Sequence, residues 1–293
     1  MAHATFKIGD LTALIGDNSA HEPSGGHRAG YNGVWDFRHR QSSRSIFVPR
    51  YAGLNLEHIF NGETEFQDRD TFFEPRRAPM IFRKLNDQQA QLHQPPTPHL
   101  HVESTTTFTL RPPWYLDIEF RCTPHQHVHR RGWFGCFWAS YINAPADKSL
   151  YFTGGWRPKE HLWMQFCTQA HDDESTVLAH DDTFKLTWKE GTRDALFKNF
   201  SPMRFARPLY YGRFEGLTYI LMFKPAAGIR FTHSPSGGGV NQEHNTSNPA
   251  WDWQFIVPKY EVMREYKYQA RAILRPHCSR EAILEEYEKW ADQ

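Results

Sequence analysis

The chain has little surplus charge, few cysteines and no long apolar run. Its 293 residues include 34 Lys or Arg and 33 Asp or Glu, so the formal net charge is +1. A surface without excess charge does not attract a polyanion, so nucleic acid is not expected as a partner. No segment reaches the roughly 18 apolar residues that a membrane helix requires, and the first residues do not resemble a secretory signal. We therefore expect no membrane association and a cytoplasmic location.

Cysteine and glycine patterns exclude several further classes. Cys122, Cys136, Cys167 and Cys278 lie far apart without CxxC spacing, so we expect free thiols and neither a disulfide framework nor a zinc knot. The glycine-rich segment 235–239 fits neither of the common phosphate-binding patterns. We expect no cofactor.

Helical periodicity is scarce, whereas short runs of aromatic and β-branched residues recur and end at Gly, Pro, Asn or Asp. The only helix we predict is 280–291, with Ser279 as its N-cap. The pattern predicts an all-β fold: one domain over 1–293, formed by a large antiparallel β-sandwich with a short C-terminal helix. The predicted strands are 5–15, 33–39, 45–48, 55–60, 80–85, 89–93, 101–110, 114–122, 133–141, 161–168, 175–180, 183–188, 210–214, 217–223, 229–233, 251–257 and 266–274.

A first candidate site is the run that contains His99, His101 and Glu103. In a strand these alternating residues share one face, where imidazole and carboxylate are neighbours. Such a group can bind a metal, transfer a proton or hydrogen-bond a substrate, and it can equally be a solvated strand face.

A second candidate is His125, His127 and His129, which alternate just after a predicted strand. Arg130 and Arg131 follow directly, and their charge disfavours a cation, so an anionic substrate fits better than a metal. The alternative is a polar loop between strands.

Aromatic residues make up 15% of the chain. Most must be core, but aromatic rings beside polar groups are also what a sugar ring requires. We expect a carbohydrate cleft in which Trp138 and Trp251 supply rings.

Two further features concern loops. His233 and Asp252 flank the long polar segment 234–250, and we expect them to meet as an acid/base pair beneath it, with a plain mobile loop as the alternative. Segments 28–33 and 51–58 combine glycine with hydrogen-bonding groups and are expected to line one rim, although a tight turn before a strand explains each as well.

Four segments together resemble the galactose-mutarotase-like β-supersandwich superfamily: GYNGVW (30–35), FVPRYAGLNLEHIF (47–60), TFTLRPPWYLDIEFRCTP (107–124) and WDWQFIVP (251–258). The resemblance implies a broad sandwich with a concave sheet that binds sugars, shared by aldose epimerases, polysaccharide lyases and glycosidase domains. The His and Glu motif of the epimerases is absent, so no epimerase residue is carried over. A lyase would use Tyr or His as base with Arg or Asn against a uronate. His127, His129, Arg204, Tyr211 and Arg213 are the residues that can supply such groups.

The leading hypothesis is a carbohydrate-active protein that transfers a proton at a sugar carbon. Two alternatives stay open: a carbohydrate-binding or sensing domain without turnover, and a metal-dependent enzyme that uses the histidines. The oligomeric state does not follow from the sequence. The catalytic candidates are His101, Glu103, His127, His129, His233 and Asp252, and the substrate-binding candidates are Arg204, Tyr211, Arg213, Trp138 and Trp251.

Overall fold

The fold is described from a computed structural model, which covers residues 2–19, 30–49, 51–63, 68–192, 195–224 and 227–292. Its helices are α1 (Arg69–Phe72), α2 (Glu74–Arg77) and α3 (Arg280–Ala291). Its strands are β1 (His3–Ile8), β2 (Leu11–Gly16), β3 (Gly33–His39), β4 (Asn55–Phe60), β5 (Ile81–Lys84), β6 (Gln89–Gln94), β7 (Val102–Arg111), β8 (Tyr115–Pro124), β9 (Trp133–Ala139), β10 (Leu150–Gly155), β11 (Leu162–Phe166), β12 (Thr176–Ala179), β13 (Phe200–Phe205), β14 (Leu209–Phe214), β15 (Leu217–Phe223), β16 (Ile229–Ser234), β17 (Val240–Asn241), β18 (Thr246–Ser247), β19 (Ala250–Pro258) and β20 (Tyr266–Pro276).

Within the described residues, most strands belong to one 15-stranded sheet. Its order is β4-β9-β19-β16-β12-β13-β10-β14-β15-β20-β8-β7-β6-β5, and β11 pairs with β10. Its pairings are antiparallel apart from β12 with β13, which run parallel. The sheet is therefore mixed at β12 and β13, although the sequence predicted antiparallel pairing throughout.

The two halves of this sheet pack face to face around an aromatic core. Trp138 on β9 stacks on Trp253 of β19, and its ring meets Phe120 of β8 edge-on at 5.1 Å between centroids. Phe223 of β15 lies 5.7 Å from Trp253. A sheet that folds back on itself in this way forms a sandwich, so the predicted fold class is confirmed.

The predicted strand 5–15 is two strands. Gly9 turns the chain with φ +57°, and a Cβ there would lie 2.5 Å from the carbonyl oxygen of Pro113, so only glycine fits. β1 and β2 then pair antiparallel, and β3 completes a three-stranded sheet. The prediction of one strand over 5–15 missed the turn at Gly9 because apolar residues continue on both sides of it.

Strands β4, β9, β19, β16 and β12 have a second face, opposite the aromatic core, which we call the covered face. Its apolar residues are Phe60, Phe137, Ala139, Ala250 and Ile256. The segment 183–188 was predicted as a strand, but it lies across this face as an irregular segment that packs Phe184, Leu186 and Trp188 onto it. Its hydrogen bond from Trp133 Nε1 to the Thr187 carbonyl replaces strand pairing.

Helix α3 forms as predicted. The Ser279 hydroxyl accepts a hydrogen bond from the Ala282 amide, and Ile283, Tyr287 and Trp290 are buried. They pack onto β14, β15 and β20. No helix in the described ranges has both the length and the apolar character needed to cross a membrane.

Candidate functional site

A bulge in β4 places Glu57 and His58 together. β4 pairs with β9, but the register shifts between Leu56 and His58, so Glu57 is the extra residue. Leu56 and Ile59 belong to the aromatic core on one side of the strand. Glu57 Oε1 and His58 Nε2 lie 3.0 Å apart, although consecutive residues of a regular strand point to opposite faces. The irregularity thus creates a carboxylate–imidazole pair.

The Glu57 carboxylate is buried and surrounded by donors. The side chain is 5% exposed, and its Oε2 accepts hydrogen bonds from the Tyr141 hydroxyl at 2.5 Å, Arg76 Nη1 at 3.2 Å and Asn55 Nδ2 at 3.3 Å. A buried carboxylate is costly unless it is paired and hydrogen-bonded. This arrangement favours the ionised carboxylate.

The hydrogen bonds of His58 decide where one proton lies. Nδ1 is 2.7 Å from the Phe72 carbonyl oxygen, which can only accept, so Nδ1 carries a proton. Nε2 faces Glu57 Oε1 at 3.0 Å, a distance at which a proton can pass between the two atoms. A carboxylate and an imidazole in this arrangement are suited to acid/base work.

Three tyrosines and Arg76 build the walls around this pair. Tyr31 and Tyr51 stack with centroids 5.1 Å apart, and Tyr141 meets both edge-on. The Arg76 guanidinium lies 3.9 Å from the centre of the Tyr31 ring. Burial raises the pKa of Tyr31 and of Tyr141, and the neighbouring Glu57 raises the pKa of Tyr141 further. Tyr141 therefore stays protonated near neutral pH and acts as a hydrogen donor.

Polar groups continue along the covered face from this cluster. Asp252 on β19 accepts a hydrogen bond from the Ser140 amide at 2.8 Å, and burial raises its pKa well above the ordinary value. Gln254, two residues on, donates to Thr176 and Thr232. The sheet thus presents carboxyl, amide and hydroxyl groups beside aromatic rings.

The structure does not bring the predicted His101 and Glu103 onto one strand face. His101 has φ +51° and precedes β7, which begins at Val102. Glu103 instead meets His125 at 2.8 Å and His93 at 3.8 Å, on the solvent-facing side of the sheet. The two residues do not alternate along one strand because His101, with its left-handed backbone, ends the regular strand geometry before β7 begins.

His127 and His129 both lie close to Tyr260, with ring centroids 6.2 and 4.9 Å from it. His127 is exposed, whereas His129 is buried and stacks on Phe134. Burial, with a smaller contribution from nearby His101, lowers the pKa of His129 to about 4. His129 is therefore neutral at physiological pH.

His233 and Asp252 do not form a pair. Thr232 is the cross-strand partner of Asp252, and His233 is the partner of Trp251, so the two side chains leave opposite faces of the sheet. His233 Nδ1 accepts from Thr168 and Nε2 donates to the Lys148 carbonyl. Burial lowers the pKa of His233 to about 4, so this imidazole is neutral near pH 7, and its catalytic role stays a prediction.

The five predicted substrate-binding residues are dispersed. Trp138 and Trp251 are in the aromatic core, and Tyr211 lies against helix α3 with its hydroxyl accepting from Arg280. Arg213 is exposed on β14, and Arg204 on β13 donates to the carbonyls of Ser201 and Met203. Their assigned roles stay predictions, without shared geometry to support them. In the described part of the chain, no three His, Cys, Asp or Glu side chains are arranged to hold a metal ion.

The residues that do converge were only partly anticipated. Tyr31 comes from 28–33, and Tyr51, Glu57 and His58 come from 51–58, the two segments expected to line one rim; residues 28 and 29 lie outside the described residues. Tyr31 and Tyr51 bring these segments into contact. Arg76 and Tyr141 were not named as site residues. The available signal was a charged residue and a histidine inside an otherwise apolar strand, a placement that calls for buried partners.

Comparison with known proteins supports the fold. No family model matches the chain, and no curated protein sequence is similar to it. A crystal structure of a candidate aldose 1-epimerase from Escherichia coli K12 aligns over 94% of this chain and 99% of its own, with a TM-score of 0.51 and 9% identity. The chain has the galactose-mutarotase-like β-supersandwich fold.

Two other solved structures align at lower TM-scores. An aldose epimerase homologue from C. elegans has a TM-score of 0.44 and 9% identity, and covers 94% of this chain and 99% of its own. Heparan sulfate lyase HepC from Pedobacter heparinus has a TM-score of 0.46 and 9% identity, over 92% of this chain and 34% of its own. At such identities the likeness concerns the fold alone.

Proposed function

We propose that the protein is carbohydrate-active and that it transfers a proton at a sugar carbon beside Tyr51, the half-buried ring that packs against Tyr141. The observation that carries this proposal is the buried cluster of Glu57, His58 and Tyr141. The Glu57–His58 pair exchanges one proton, and the Tyr141 hydroxyl supplies a second donor. The proposal is therefore centred on Glu57, His58 and Tyr141 instead of the catalytic residues predicted from the sequence.

The chemistry of the walls supports a sugar as ligand. Of the wall residues, Tyr51 is half-buried and its ring can stack on a sugar, whereas Tyr31, Asn55 and Asp252 are buried and hold the wall in place. Proton transfer at a sugar carbon needs a base and an acid on a held substrate, which is what epimerases and lyases have in common. Glu57 is the base in this proposal, and Tyr141 the acid.

The test uses proton NMR of freshly dissolved α-D-galactose and α-D-glucose, with polygalacturonate added separately to detect unsaturated products. In D2O the wild type should exchange a carbon-bound hydrogen of the sugar for deuterium, or produce the double-bond signal, because each of these requires loss of a proton from a sugar carbon. Glu57→Gln should reduce that rate by about 100-fold or more, the usual contribution of a general acid or base. Glu103→Gln is the matched control, because Glu103 also pairs with a histidine but on the exposed side.

Binding without turnover is the second candidate, and one observation favours it. Both oxygens of Glu57 already have partners inside the protein, so the cluster can serve to hold the site rigid. In that case the sugar signals show binding, while Glu57→Gln weakens it and no product forms with any of the probes. Equal turnover by wild type and Glu57→Gln would contradict the catalytic proposal.

A further inference from the structure

A cavity of about 570 Å³ lies between helix α3 and the segments that precede β14 and β16. It is separate from the Glu57 cluster, and its volume falls in the range of roughly 300 to 1,000 Å³ typical of small-molecule sites. Its wall combines three aromatic rings with charged side chains: Phe184, Phe205, Tyr287, Asp181, Asp182 and Arg207.

Asp182 joins this cavity to a buried arginine. Its carboxylate accepts from Arg230 Nε at 2.6 Å and Nη2 at 3.1 Å, and the two side chains are 3% and 0% exposed. Arg230 Nη1 is buried without a hydrogen-bond partner, and so is Oε1 of Gln254, the cross-strand neighbour of Arg230. Neither Arg230 nor Gln254 lines the cavity, so the observations that point to a ligand are the volume of the cavity and the rings and charged groups of its wall.

The charges of the wall select the kind of ligand. Asp181 and Asp182 offset Arg207 and Arg230, and Arg207 also contacts Glu288 at 3.3 Å. The wall therefore carries no surplus positive charge to compensate a buried anion. An uncharged ring with hydroxyl groups fits, since it can lie against the aromatic rings while the exposed Asp181 carboxylate accepts from one of its hydroxyls.

We propose that this cavity is a second carbohydrate site, and that it takes an uncharged sugar in preference to a uronate. The proposal rests on the proposed function for its class of ligand, but it uses none of the residues of the Glu57 cluster.

The experiment compares D-galactose with D-galacturonate and D-glucose with D-glucuronate by ligand-observed NMR titration of the full chain. Each pair differs only at C6, so the comparison isolates the charge. The neutral member of at least one pair should bind about tenfold tighter. Asp181→Ala should weaken that binding about fivefold or more, because an acceptor is lost. Asp173→Ala, which removes an exposed carboxylate outside the cavity wall, should leave it unchanged.

A second variant keeps the test decisive. Tyr287→Leu removes a ring from the wall, and its thermal unfolding is measured alongside so that a folding defect is recognised. Tighter binding of the uronates overturns this inference but leaves the proposed function intact. Wild-type affinity in both Asp181→Ala and Tyr287→Leu, with loss of binding only in Glu57→Gln, also overturns it, because the sugar then binds at the Glu57 cluster alone. Absence of binding by all four probes overturns it as well.

Discussion

Two carboxylate–imidazole pairs in this molecule have nearly the same geometry and very different surroundings. Glu57 and His58 lie 3.0 Å apart with side chains 5% and 7% exposed, whereas Glu103 and His125 lie 2.8 Å apart and are 36% and 27% exposed. The exposed pair lies in residues 99–129, which we call the histidine-rich part of the chain, and the buried pair lies outside it. The nitrogen–oxygen distances of the two pairs are thus nearly the same, and the difference between the pairs is their burial.

The difference arises from what packs on each strand. Glu57 lies in a strand buried on both faces, and Arg76 and Tyr141 reach it from other elements. Glu103 lies on a strand whose alternate residues face solvent. In water an ion pair is weak and exchanges partners freely, while in a low-dielectric setting the same pair interacts more strongly.

The largest expected effect is on folding. Glu57→Gln should lower the free energy of unfolding by about 3 to 4 kcal/mol, because a buried ion pair loses one member and the Arg76 charge loses this carboxylate. Urea unfolding of the purified proteins measures it. Glu103→Gln should change the same quantity by about 1 kcal/mol or less. Equal losses in the two variants would show that burial does not distinguish the pairs.

A pH titration sharpens the comparison within the histidine-rich part itself, because His129 is buried there and its neighbours are not. The pKa of His129 is lowered from 6.5 to about 4, so between these values the unfolded chain takes up a proton that the folded chain refuses. Stability is therefore fully present above pH 6.5 and falls as the pH drops, by up to roughly 3 kcal/mol for this residue.

The measurement is urea unfolding at several pH values between neutral and mildly acidic. His233 has the same lowered pKa and contributes to the same fall, so the wild type alone does not separate the two. His129→Gln should show a smaller loss of stability on acidification than the wild type, and His127→Gln, at an exposed position, should follow the wild type. A His129→Gln profile parallel to the wild type would remove His129 as a cause.

Removing one hydroxyl tests the buried pair more gently. Tyr141→Phe deletes the donor that lies 2.5 Å from Glu57 Oε2, and should cost about 2 kcal/mol because the acceptor is charged and buried. Tyr115→Phe is the control: its hydroxyl also donates to a carboxylate, Glu286, at 3.0 Å, but in a half-buried setting. We expect less than 1 kcal/mol there. Thermal unfolding of both variants makes the comparison, and equal shifts would count against the special role of burial.

The sequence predicted the architecture better than the site. Strands 33–39, 55–60 and 217–223 and the helix 280–291 have the predicted bounds, because the apolar patterns and turn residues that define them are local. β10 and β13 were missed because glycine and proline interrupt their patterns. The single-domain organisation stays a prediction.

The site escaped prediction for a physical reason. Whether a carboxylate is buried depends on residues distant in the chain: Arg76 is 19 positions from Glu57, and Tyr141 is 84 positions away. The alternating residues of 99–103 and 125–129 favoured a site there. Alternation, however, predicts only which residues share a strand face, and does not predict whether other elements cover that face. For the exposed Glu103 the face is open, and the inference of a reactive group loses its basis.

The smallest expected effect concerns that open face directly. A double-mutant cycle with Glu103→Gln and His125→Gln at mildly acidic pH should give a coupling energy below about 1 kcal/mol. High salt should abolish it, because the screening length falls to about 3 Å at 1 M and both side chains are accessible to ions. The loss in Glu57→Gln should persist in the same salt, since ions do not reach a side chain that is 5% exposed. A salt-insensitive coupling at Glu103 would mean that this pair, too, is shielded in solution, and the contrast between the two regions would disappear.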